Sequence, residues 1–124
     1  MIALHTPSEA YRRVDFDARV HGADPRQLVS LCYEQLTTAL GSALFAHEAG
    51  DNARKSAALT RALTSITALQ MGISGEGGMA AALHQLYESA RRSLLDCVLV
   101  FDAKAIAMLR DDFNEIARAM AGAR

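Results

Sequence analysis

Residues 23–51, ADPRQLVSLCYEQLTTALGSALFAHEAGD, decide the fold. Asp24 is placed to cap free helix N–H groups, Pro25 sits where its missing donor costs nothing, and Gln27 is positioned to reach back to the cap. A helix therefore starts here and runs to about Ala49, where Gly50 stops it. Both prolines, Pro7 and Pro25, lie early in the chain, so nothing after Pro25 forbids helix.

Working outward, three more helices follow. Asp51 or Asn52 caps a second, which carries Leu59, Ala62, Leu63, Ile66 and Leu69 at spacings of three and four and ends near Gly72. Gly72 to Gly78 holds four glycines and reads as a loop. A third begins at Gly78 or Met79 and passes through Leu83, Leu86, Tyr87, Ala90, Leu94 and Val98; Asp102 caps a fourth, with Ile106, Leu109, Phe113, Ile116 and Met120. Four rods of about 20 residues with short connections predict an all-α, antiparallel four-helix bundle over residues 24–124. Residues 1–23 are expected as an N-terminal arm, with a helical turn around Glu9 to Val14 as its one candidate for regular structure and a disordered terminus as the competing reading.

Composition narrows the function. The 124 residues are 51% apolar, with no Trp, three Tyr and four Phe, so the core of a single domain must be mostly Leu, Ile, Ala and Met. A net charge of −1 from 13 basic and 14 acidic interspersed residues offers nucleic acid and anionic membranes no footprint. The amino terminus has its basic residues after its short apolar start, the reverse of a secretory signal, and no apolar run approaches the ~20 residues of a membrane span. A cytoplasmic location is expected. Cys32 and Cys97 belong to no CxxC motif and fall at inward positions, which predicts buried thiols.

No catalytic constellation is found. None of His5, His21, His47 and His84 follows an acidic residue by three, so the di-iron signature of bundles is missing. His84 and Glu88 share a face but cannot complete a metal shell, and read as a solvated pair. GISGEGG lacks the Lys and Ser/Thr of a phosphate loop, and Arg91 and Arg92 point about 100° apart and read as surface residues. No metal or cofactor is expected, and the protein is not expected to be an enzyme.

Function should then lie on helix faces. The second and fourth bundle helices confine their large apolar residues to an arc of roughly 100–120°, about what one buried face needs. The first spreads Leu28, Cys32, Leu36, Ala39, Leu40, Ala43 and Leu44 over roughly 160°, and the third has Leu95 and Leu99 standing roughly 80–120° from its core stripe. That excess nominates Leu28, Leu31, Leu36, Leu40, Leu44, Leu95 and Leu99 as contacts for an apolar helix of another chain, with Tyr87 at the boundary; ordinary core is the alternative for each. Mid-helix Gly41 points to close approach of another backbone, from within the bundle or from a partner.

Three stretches resemble one family, the flagellin export chaperones, FliS. Ala10-Tyr11 with Val14, leading into Ala23-Asp24-Pro25-Arg26-Gln27-Leu28 and then Tyr33-Glu34, is similar to the family's AYxxV segment and A-[SD]-P-x-[QE]-L helix start. Gly50-Asp51 resembles its GD turn, and Leu86-Tyr87-Glu88 its LYD motif, here continued by Ser89-Ala90-Arg91-Arg92 in place of the usual YM-x-RR. The resemblance implies a cytoplasmic chaperone that binds the disordered C-terminal segment of flagellin, prevents premature polymerisation, and docks when loaded on the export gate protein FlhA of the flagellar type III apparatus. Tyr11 and Val14 would then belong to an arm that covers a groove or contributes to gate docking. A homodimeric helical adaptor with no flagellin client is the competing reading, since it would use the same surplus surface.

Overall fold

The computed structural model describes residues 7–22, 24–73, 75 and 77–122. Residues 1–6 of the expected arm, Ala23, and Ser74 and Glu76 of the glycine loop lie outside them. Among the described residues there are five helices and no strand: α1 (Pro7–His21), α2 (Pro25–Glu48), α3 (Asn52–Met71), α4 (Gly78–Leu99) and α5 (Ala103–Gly122). The all-α expectation agrees with this; within residues 1–23 the helix is longer than the turn around Glu9 to Val14 that was its candidate, running for 15 residues.

Local chemistry sets the boundaries. Asp24 Oδ1 accepts from the Gln27 amide at 2.9 Å while the Asp24 amide donates to Gln27 Oε1 at 3.0 Å, a reciprocal cap with Pro25 in the first turn. Asp51 Oδ1 accepts from the Arg54 amide at 3.1 Å, and Asp102 Oδ1 from the Ala105 amide at 3.1 Å. Gly50, at φ +70°, makes the α2–α3 turn in a conformation other residues adopt only with strain.

Consecutive helices alternate in direction. Gln35 meets Ser65 and His47 meets Lys55, so α2 and α3 are antiparallel; Tyr33 pairs with Phe113 at the middle of α5 while Gly41 lies beside Arg110. α2 is the central rod. It packs most extensively on α3, through an alanine seam of Ala39, Ala43, Ala58 and Ala62, and next on α5; α4 leans on α3 and touches α5 least of the four seams. Small side chains let two backbones approach closely, which is why the alanine seam is the most extensive.

Between α2, α4 and α5, Tyr33, Tyr87 and Phe113 form an aromatic cluster with centroids 5.8–6.4 Å apart. The Tyr33 and Tyr87 hydroxyls, both buried, hydrogen-bond each other at 2.6 Å. Burial pushes both phenols above their ordinary range, with the mutual hydrogen bond adding to the effect at Tyr33. A polar pair inside an apolar core holds α2 and α4 in one register, because slipping either leaves two hydroxyls unpaired.

Candidate functional surfaces

The central position of α2 corrects the reading of its wide apolar face. Leu36 and Leu40 are 1% and 0% exposed and Tyr87 is equally enclosed, so these three are core and not contact surface. α2 is flanked by α3 on one side and α5 on the other, so this part of its wide apolar face is covered by rods of the same chain. Leu44 is half-buried against the same core, and Leu28 and Leu31 are half-buried near the start of α2. Cys32 and Cys97 are buried free thiols, and burial pushes the Cys32 thiol up. At Gly41 the packing excludes one of the two expected causes, close approach of a backbone within the bundle. A Cβ there would meet nothing nearer than Arg110 Cδ at 4.0 Å, so no backbone of this chain exploits the missing side chain.

On α4 the surplus stays open. Its core stripe is Tyr87, Ala90, Leu94 and Cys97. Leu95 is 41% and Leu99 85% exposed, and Val98 and Val100 join them. Val98, expected in the core, follows Cys97 by ~100° of helix rotation and so turns out of the stripe. Beside this patch a furrow of ≈ 170 Å³ runs between α3 and α4, with Leu59 and Cys97 among its lining and Ser56 and Thr60 on the α3 side. Its end is fixed by Phe101, whose ring stacks on His47 at 4.4 Å and carries Lys55 Nζ 4.9 Å from its centroid. On α5, Met108 and Met120 are also exposed, which the narrow arc of that helix did not suggest.

α1 lies outside the bundle against α2 and is held mainly by side chains. Arg19 donates to both carboxylate oxygens of Glu34, at 3.1 and 2.9 Å, and Arg61 of α3 pairs with Glu9. Phe16 is half-buried on that side, whereas Tyr11 and Val14 point away from the bundle and are exposed. Tyr11 and Val14 therefore cover no groove with their own side chains.

Polar groups elsewhere are arranged for structure. Glu88 accepts from Gln70 Nε2 at 3.1 Å and from Arg92 at 3.3 Å, not from His84, and the Gln70 hydrogen bond followed by the arginines holds its carboxyl below the usual range. Among the described residues no group of three or more His, Cys, Asp and Glu could hold a metal ion, and no helix is long and apolar enough to cross a membrane. The arrangement suits the capture of an apolar segment along α4 and the α3–α4 furrow.

Residues 7–123 match the family described as Flagellar protein FliS. The chain is also 33% identical over 114 residues to the flagellar secretion chaperone FliS of Salmonella typhimurium, covering 90% of this chain and 84% of that one.

Proposed function

The chain belongs to the FliS family of flagellar secretion chaperones, and from that premise we propose that it binds the disordered C-terminal segment of flagellin in the cytoplasm, keeps it from polymerising, and delivers it to the export gate protein FlhA. The observation that carries this reading is the open apolar end of α4, where Leu95, Val98, Leu99 and Val100 stand together beside the α3–α4 furrow. Ordering a flexible segment costs ~2–5 kcal/mol, whereas each large apolar side chain transferred from water contributes ~1.5–3 kcal/mol, so a few such contacts outweigh the ordering. The step requires no covalent chemistry. Burial of the client's own apolar residues hides the surface by which flagellins would otherwise associate.

Calorimetric titration with the C-terminal segment of the flagellin from the same cell tests this. Saturable binding with a negative heat-capacity change, weakened by Leu95→Asp and Leu99→Asp, is the expected result. No binding, together with a tight dimer by analytical ultracentrifugation, would replace it with the homodimeric adaptor.

A further inference from the structure

We propose that the furrow between α1 and the α2–α3 seam is a carboxylate-binding site for the client, in which Glu9 stands in for the client's own carboxylate; the proposal rests on the flagellin reading above. The furrow has a volume of ≈ 450 Å³ and its floor includes Thr38, Gly41 and Ser42 of α2, small residues that leave room for a peptide. Three guanidinium groups, Arg12, Arg54 and Arg61, line it together with the Glu9 carboxylate. Arg54 is shared with Asp51 at 3.5 Å, and Arg12 has no carboxylate within ion-pair distance among the described residues.

Arg61 supplies the decisive detail. Its side chain is only 14% exposed, its Nη1 pairs with Glu9, and its buried Nη2 has no acceptor among the described residues. A guanidinium fork is built to meet a carboxylate through two parallel hydrogen bonds, so this one is only half used. A peptide carboxylate bound across both nitrogens, with Arg12 completing its shell, satisfies donors that the free protein leaves unspent.

Two independent features fit an exchangeable cover. α1 is fastened mainly by the Glu9–Arg61 and Arg19–Glu34 ion pairs, the second of them exposed, and exposed pairs hold weakly. Gly41, whose lack of a side chain this chain does not use, opens on the same furrow and allows a second backbone to come close. The occupant is a carboxylate flanked by small residues, either an Asp or Glu side chain or the client's terminal carboxylate.

Titration of the flagellin C-terminal segment into the full chain and its variants separates the outcomes. Glu9→Gln, which removes the internal competitor, is expected to bind the segment severalfold more tightly. Arg12→Gln and Arg61→Gln are expected to bind it about tenfold more weakly, with a smaller salt dependence. Arg12 is exposed and unlinked to the core, so its variant reads binding even if Arg61→Gln melts early. A segment with its acidic residues changed to amides loses the advantage of Glu9→Gln if a side chain is the occupant, and a C-terminally amidated segment loses it if the terminus is. Wild-type-like binding by all three variants, or by both altered segments, overturns the site while leaving the chaperone reading intact. Failure of the unmodified segment to bind the wild-type chain overturns both.

Discussion

On α2, Leu36 and Leu40 are sealed, while on α4 Leu95 and Leu99 stand in water, although both helices carry apolar residues well beyond a single face. The difference is in the neighbours. α2 lies between α3 and α5, with α1 against a further side, so Leu36 and Leu40 are enclosed by rods of the same chain. α4 leans on α3 and barely touches α5, so the flank of its last turns has nothing to cover it. A wide apolar arc is therefore silent on whether what covers it comes from the helix's own chain.

The comparison breaks if truncating a sealed leucine proves harmless. Leu40→Ala removes a fully enclosed side chain and is expected to cost about 2–5 kcal/mol of unfolding free energy, measured by urea denaturation, with the spread set by how far the alanine seam closes on the cavity. Leu36→Asp should not yield a folded chain at all, for burying an unpaired carboxylate adds to the lost contact.

Next in size is the link between the two helices. Tyr87→Phe leaves the Tyr33 hydroxyl buried without its partner and should destabilise by about 1–3 kcal/mol. The same pair sets an alkaline limit. Both phenols hold their protons in the folded chain beyond the ordinary value of 10.0, so their contribution is complete below that pH and is lost as pH rises past it toward the folded values. Tyrosinate absorbance from Tyr33 and Tyr87 should accordingly appear together with loss of helical circular dichroism; ionisation of both in a still-folded protein would show the pair to be open to water.

Smaller and opposite in sign is Gly41→Ala. The added methyl has space, so the variant should gain about 0.5–1 kcal/mol in thermal or urea unfolding through helix propensity alone. A loss would reveal a close approach absent from the present arrangement. Smallest is Leu99→Asp, which should alter stability by no more than about 0.5 kcal/mol because the side chain is already in water. Paired with Leu40→Ala, it sharpens the contrast: one variant loses stability, the other only the client.

The helix boundaries were legible because each rests on chemistry within a few residues: the Asp24–Gln27 box, the Asp51 and Asp102 caps, and the left-handed Gly50. Leu95 and Leu99 were legible as outliers from a stripe for the same local reason. For Leu36, Leu40 and Tyr87 the sequence left contact and core both open, because their burial depends on rods that approach from elsewhere in the chain. α1 was underestimated since its inward side presents Glu9, Arg12, Phe16 and Arg19, a mostly polar row that resembles a solvated surface until Arg61 and Glu34 are seen opposite it.

Periodicity and capping, which act between residues three or four apart, were enough to establish an all-helical chain and to say where most of its rods begin and end. Which faces those rods spend on one another was settled only by packing, since the burial of a side chain is a property of the elements around it and not of its own position in a repeat.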